Sequence, residues 1–508
     1  MFWKKGFILF ACISILSGFL LLNNGCRKDQ FGNGGISFST DTLTFDTVFT
    51  SLGSTTKYFK VFNTSKKAVN ISNIRLMHLV GTQFRINVSG RSGDSFTDME
   101  IPAKDSIYVF VEVTVNPNSA ATPFVIIDDV SFIVNGNAST VHLQAFGQNA
   151  HFHYGEEITA GQTKTWSNDL PHVIISHDSV PGVLVDCGAT LNINPGCKIF
   201  FAGNSAIFVQ GTLNAPLPGQ SISWSDSIVF QGARLEQYYQ DKPGQWFGIV
   251  FLRDTNNTTS CAAHGNFSHC VVNESSYGIY AGAGLTNDLS KFTGTAGRPV
   301  IQINNTIVKN SQYNAVYGFN AKITATNSIF NTAGEYLIKL GLGGNYTFTH
   351  CTMFNNGSPY ISHDKESLLL SNFVSDGTNI YPEPLKTTFT NCLLYGNLQN
   401  EISFNNAEDT LLTNFDNAFS YCDVKSNMDT FNMFTNIHDN VLINQEPGLQ
   451  NPGSGDFIPS DSTGYISPLI DYAPAPNGGL SIDIYDKLRP VSKTSNLNKY
   501  DVGAIEVQ

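Results

Sequence analysis

One short pattern of apolar and polar positions recurs six times in the C-terminal half of the chain. It reads Phe267-Ser268-His269-Cys270-Val271-Val272, Ile303-Asn304-Asn305-Thr306-Ile307-Val308 and Ala325-Thr326-Asn327-Ser328-Ile329-Phe330. It returns as Phe348-Thr349-His350-Cys351-Thr352-Met353, Phe389-Thr390-Asn391-Cys392-Leu393-Leu394 and Phe419-Ser420-Tyr421-Cys422-Asp423-Val424. Positions one and six are apolar, position two is Ser, Asn or Thr, position three is Asn, His or Tyr, and position four is small. A strand alternates faces with period two, so positions four and six point inward and position five outward. Asn tolerates left-handed backbone angles at low cost, so position three suits a bend that brings position one back to the inner face.

Position four recurs at Thr306, Ser328 and Cys351, 22 and 23 residues apart; the longer intervals, 36 and 41 residues, read as coils carrying loop insertions or as two coils with one degenerate. A repeat of this length means a stacked array in which each unit buries its apolar face on its neighbours. Short β phrases without helical periodicity make that array a parallel β-helix. On these phrases the chain resembles the right-handed parallel β-helix proteins (pectate-lyase-like fold) of bacterial surfaces. Gly161 opens the expected solenoid, which runs over 161–430. Gln245-Trp246-Phe247-Gly248-Ile249-Val250-Phe251 is one of its coils, with Trp246 packed inward. The polar stretch Gln231 to Gly244 projects from the wall. Residues 431–508 read as terminal coils and a C-terminal cap, whose charges Asp471, Arg489 and Asp501 form cap salt bridges. Cys270, Cys351, Cys392 and Cys422 share position four with Thr and Ser, so they read as buried free thiols.

Ahead of the solenoid, alternating strands at Tyr58-Phe59-Lys60-Val61-Phe62 and Ser106-Ile107-Tyr108-Val109-Phe110-Val111-Glu112-Val113 are separated by Gly, Asn and Ser clusters. This predicts a β-sandwich over 36–148. Asn63, Ile101-Pro102, Asp105-Ser106 and Val115-Asn116-Pro117 make it similar to the abnormal-spindle/hydin type of Ig-like domain. The expected fold class is therefore all-β: an Ig-like sandwich, then a parallel β-helix.

The N-terminus begins with Lys4-Lys5, an apolar run from Gly6 to Leu22, then Gly25-Cys26. This resembles a bacterial lipoprotein signal (1–26) that leaves a lipidated Cys26 and a polar tether (27–35). It departs from the usual box at Asn23, where Leu is expected. An uncleaved membrane anchor is the alternative. Both readings place the chain in the cell envelope, with outer-membrane surface exposure expected from the first. Only 14% of the residues are charged and the net charge is −12, which leaves no basic stripe for nucleic acid. Asp-Ser/Thr followed by an apolar residue, as at Asp41-Thr42-Leu43, Asp46-Thr47-Val48 and Asp409-Thr410-Leu411, resembles the O-glycosylation site of Bacteroidetes-type secreted proteins.

Chemistry is sparse. The β-helical pectinases that this fold resembles carry clustered aspartates, a Gly-His-Gly and an Arg-Ile-Lys phrase, and the chain has none of them. Lyases of the fold use Arg or Lys as base and acids that hold Ca²⁺, so Ca²⁺ is expected only if the protein is a lyase. No Cys-x-x-Cys pair exists, so no metal site is expected. The catalytic candidates are Arg253, Asp254, His264, His363 and Asp364. His269 and His350 read as bend residues without chemistry. Tyr238 and Tyr239 are candidate sugar-stacking residues. The expected activity is glycan or surface-partner binding. Polysaccharide cleavage by a lyase or hydrolase, and a purely structural envelope role, are the alternatives.

Overall fold

The computed structural model describes residues 35–508 apart from 79–81, 179, 256–260, 285, 408–413, 463, 477–478 and 492–498. Cys26, its tether up to residue 34 and the Asp409 site lie outside the described residues. The chain forms two compact units, ending at Gln148 and beginning at Asn149.

The first unit is a sandwich of two five-stranded sheets. One holds Ile36–Phe38, Lys57–Asn63, Ser106–Val113, Phe84–Val88 and Arg91–Gly93 in that order. The other is built around Asn137–Gln148 and Phe124–Val134. Alternation decides the faces: Ile107, Val109, Val111 and Val113 enter the core, while Tyr108, Phe110 and Glu112 face outward. Asn63 is buried because its side-chain amide donates to the carbonyls of Lys67 (2.8 Å), Ile101 (3.0 Å) and Pro102 (2.9 Å), closing the turn that joins two strands. Asp128 is likewise buried, accepting from Thr82 Oγ1 at 2.5 Å and His78 N at 3.1 Å.

The second unit is a parallel β-helix of three sheets with eleven, nine and ten strands. Nine successive coils each contribute one strand to each sheet. Strand Ala321–Thr326, for example, pairs in parallel with Val300–Asn304 below and Gly344–Thr349 above. The six-residue phrase is the corner from the third sheet to the first. All six bend residues (His269, Asn305, Asn327, His350, Asn391, Tyr421) have φ between 43° and 56°. Positions one, four and six are buried in every copy. Position one builds a stack, with Phe348 and Phe389 centroids 5.0 Å apart and Phe389 and Phe419 4.6 Å apart. Cys270, Cys351, Cys392 and Cys422 are free and buried, and burial pushes the Cys270 thiol up to about 12. The long intervals hold insertions: 284–299 between the second and third sheets, and both 356–367 and the hairpin of Phe373–Ser375 with Ile380–Pro382.

Two features depart from the sequence reading. The solenoid begins at His151–Tyr154, which already pairs with His172–Ile175, ahead of Gly161. A last partial coil, through Ile437–Asp439 and Leu442–Ile443, lies in the stretch expected to hold terminal coils. Among the described residues, the C-terminal segment does not close the end. The short helix Met428–Phe434 does that, burying Phe431 against Phe419 and packing Phe434 on Phe404 and Phe415. The described residues of 467–507 instead run back along the flank, over the first sheet and the bend residues. Leu469, Val502 and Ala504 cluster there with Ile329 and Leu393. Asn391 donates to Pro474 O, Asn327 to Ile482 O, and His269 meets Asp486 at 2.8 Å. Position five therefore points outward as expected, yet Ile329 and Leu393 become buried under this arm, while Val271 and Ile307 stay partly open. Arg489 is the arm's internal tie: it lies 3.6 Å from Glu506 and donates to Gly503 O. Asp501 serves it as an acceptor for main-chain amides of Asp471 and Val507.

Two cysteines pair, which the sequence left open. Cys187 and Cys261 are bonded across 74 residues, spanning the intervening coil corner at Gly211. A Cβ on Gly211 would sit 2.3 Å from the carbonyls of both Asp186 and Ala189, so only glycine fits beneath this staple.

Candidate functional site

The outer face of the first sheet carries a groove of about 750 Å³ that crosses several coils. Its floor is period-two outward positions of successive strands: Val271, Ile307 and Lys309, then Ile329 and Asn331. One wall is the 231–244 loop, presenting Gln240 and Asp241. A second is the 356–360 turn with Tyr360, and the third is formed by 452–455 and Phe457 together with Tyr485 of the arm. Three exposed rings stand on or beside the rim: Tyr238 (69%), Tyr360 (50%) and Tyr485 (38%).

Buried groups hold these walls in place. Glu274 is 5% exposed and accepts the main-chain N–H of Gly232 (3.2 Å) and Asp241 (2.9 Å), pinning both ends of the 231–244 loop to the sheet. Burial, reinforced by Asp241, pushes its carboxyl up to about 7. Asp241 adopts φ 60° and turns its carboxylate into the groove, where Asn310 Nδ2 lies at 2.8 Å and Lys309 Nζ at 3.2 Å. The Lys242 ammonium sits 3.1 Å from the Tyr238 ring centroid and 5.0 Å from that of Tyr360, linking two walls by cation–π contact. Arg234 covers Tyr239 at 3.9 Å.

The sequence candidates divide between two corners of the solenoid. Tyr238, Tyr239, His363 and Asp364 come together at the corner between the first and second sheets. His363 lies under the Tyr360 turn, its Nε2 3.2 Å from the buried Glu401 carboxylate and its Nδ1 2.6 Å from Asn397 Oδ1. Burial pulls this imidazole down, but the Glu401 hydrogen bond and charge outweigh it and leave it raised. His363 thus anchors the turn, and Asp364 beside it is exposed. Arg253, Asp254 and His264 sit at the opposite corner. Arg253 is 4% exposed, and its guanidinium donates to the carbonyls of Thr293, Gly294, Ala296 and Asn320, clasping the 284–299 insertion. Asp254 is half-buried beside Gly297, and His264 is exposed at the start of its strand. Trp246 is buried, stacked 3.8 Å from Phe201.

Lys309, Asn331, Tyr360 and Tyr485 were not singled out in the sequence. Period-two counting from position five marks Lys309 and Asn331 as outward. Nothing local marks Tyr360 or Tyr485, which reach the groove from an insertion and from the arm.

Chemically, the groove offers aromatic rims, amide and hydroxyl donors, and one ion pair. Among the described lining residues Asp241 is the only acid. Glycoside hydrolysis uses two flanking carboxylates. Among the described residues no group of three or more His, Cys, Asp or Glu is placed to hold a metal ion, and no helix is long and apolar enough to cross a membrane.

No protein family and no curated protein matches the chain in sequence. Among solved structures, a family 123 glycoside hydrolase from Clostridium perfringens, described for glycolipid glycan hydrolysis, aligns at 10% identity with a TM-score of 0.18. That alignment covers 26% of this chain and 30% of the hydrolase, so the chain spans under a third of its length. The catalytic domain of a GH87 α-1,3-glucanase in complex with nigerose aligns at 10% identity and a TM-score of 0.15, over 81% of this chain and 91% of the glucanase. Both act on glycans, and at these TM-scores neither likeness carries an argument for this chain.

Proposed function

We propose that this protein is a lipid-anchored cell-surface protein whose solenoid binds an extended glycan in the groove on its first sheet. The observation that carries the reading is the groove itself: a floor of Val271, Ile307 and Ile329 interspersed with Lys309 and Asn331, crossing several coils and bounded by exposed tyrosines and polar amides. Sugar rings present flat apolar faces and polar edges, which such a lining complements. Asp241 and Lys309 neutralise each other, so the groove binds without a free acid–base pair aimed into it. The anchor at Cys26 and the outer-membrane location rest on the N-terminal sequence, and the Cys187–Cys261 disulfide supports an oxidising compartment.

The test uses the mature chain from Cys26 onward in affinity electrophoresis through gels of neutral and acidic polysaccharides, with and without Ca²⁺. New reducing or unsaturated ends are followed in parallel. Retardation without new ends is expected, with affinity falling about tenfold in Tyr360→Ala, the loss of roughly one stacking contact. Product formation lost on Asp241→Asn would replace the binding reading with a catalytic one. Retardation indifferent to Tyr360→Ala and Tyr485→Ala would remove the groove from the mechanism.

A further inference from the structure

The outward face of the N-terminal sandwich carries a second aromatic cluster. Strand Lys57–Asn63 pairs with Ser106–Val113 so that Tyr58 stands opposite Phe110 and Lys60 opposite Tyr108. On the other side, Phe84–Val88 sets Asn87 opposite Phe110 and Arg85 opposite Glu112. Strict alternation sends Tyr108, Phe110 and Tyr58 into solvent, with 39%, 37% and 55% of their surface exposed. Their centroids lie 5.3 to 5.9 Å apart, and the planes of Tyr108 and Phe110 are within 13° of parallel. The Lys60 ammonium sits 4.7 Å over the Tyr108 ring. Phe110 also lines a depression of about 670 Å³ whose other contributors include Arg85, Asn87, Ser92, Asp94 and Glu112. Outward positions of a sandwich strand are ordinarily polar, so three grouped rings ask for a ligand.

We infer that this face is a glycan-binding platform separate from the solenoid groove. The rings supply stacking surfaces, and the arginine, amide, hydroxyl and carboxylate groups of the adjoining depression supply partners for sugar hydroxyls. The chemistry and shape favour this occupant over two others. A stable protein interface uses roughly 20–30 residues a side, far more than three rings framed by polar groups. An interfacial membrane surface buries an apolar face under a basic rim, whereas this one adjoins a concavity bearing Asp94 and Glu112.

The test compares the mature full-length chain with Tyr58→Ala and with Tyr58→Ala/Phe110→Ala in gels containing barley β-glucan, yeast mannan, dextran or polygalacturonate. The double variant is expected to lose about tenfold in affinity for one of these polymers, the loss of one or two stacking contacts. Tyr108→Phe, which keeps the ring, retains binding. Tyr58→Ala removes the most exposed ring and leaves the core intact, so an unchanged thermal melt by circular dichroism separates lost binding from lost folding. Tyr360→Ala in the same gels reports on the solenoid groove independently. Retardation unaffected by either sandwich variant in every gel, or abolished altogether by Tyr360→Ala, overturns the platform. So does co-sedimentation with phosphatidylglycerol vesicles that the double variant abolishes while no polymer retards the wild type.

Discussion

The left-handed bend at position three is the residue-level device that lets one phrase repeat. An L-residue pays roughly 1–2 kcal/mol there unless it is Gly, Asn or Asp. At Asn327 the side chain also donates to Ile482 O at 2.9 Å, tying the arm down. Asn327→Val is therefore expected to destabilise the solenoid by about 2 kcal/mol or more in guanidinium melts, and Asn327→Gly by less, because glycine loses only the arm contact. Asp423 shows a different residue-level cost. It occupies position five, is fully buried, and both carboxylate oxygens lack hydrogen-bond partners. Burial first, and then the nearby Glu446, push its carboxyl up from 3.8 to about 8. A folded-state pKa above the unfolded one means that this site is least costly below pH 4. Stability is then lost as pH rises from about 4 to about 8. Asp423→Leu, matching Leu393 and Leu442 beside it in register, is expected to stabilise by about 2–4 kcal/mol at pH 8 and far less at pH 4. Equal gains at both pH values would show that the carboxyl is not the cause.

At the scale of elements, the arm and the disulfide lock the solenoid from opposite sides. The disulfide closes a loop of 74 residues, and cross-linking a loop of that size is worth about 4 kcal/mol in the chain-entropy account. Cys187→Ser/Cys261→Ser is expected to lose about 2–4 kcal/mol, read by denaturant midpoint with and without reductant. The buried thiols of the position-four stack remain inert to that reductant, so the wild type under reducing conditions should match the variant. The arm accounts for the fate of position five. The outward side chains of Val271 and Ile307 floor an open groove, while those of Ile329 and Leu393 become core where the described residues of 467–507 lie on them.

For the whole molecule, the net charge of −12 bears on which glycan binds. The groove holds one acid and one base in contact, so it adds no strong local field. A like-charged polymer is repelled by the overall charge, and the repulsion is screened over about 10 Å at 0.1 M salt. Neutral polysaccharides are expected to retard the chain more than polygalacturonate at low ionic strength, with the gap closing near 0.5 M salt. A gap that widens with salt would place binding in an unscreened, charge-independent step.

What the sequence determined by itself is everything governed by short-range periodicity. Period-two alternation set the faces of the Ser106–Val113 strand and of the phrase, and the bend chemistry of Asn and His set the corner. The small fourth position set the cysteines inside the core, and the spacing set the stack and its insertions. The lateral arm, the Cys187–Cys261 pairing and the helix that closes the end were decided only by tertiary structure. Each depends on contacts between segments tens to hundreds of residues apart: Trp224 donates to Ile484 O, and Tyr485 reaches a groove floored by Val271. The groove was legible only in its floor, because a regular strand announces which residues point outward. Its walls come from an insertion and a terminal arm with no period of their own, and only the packing of those segments on the solenoid gives them a place.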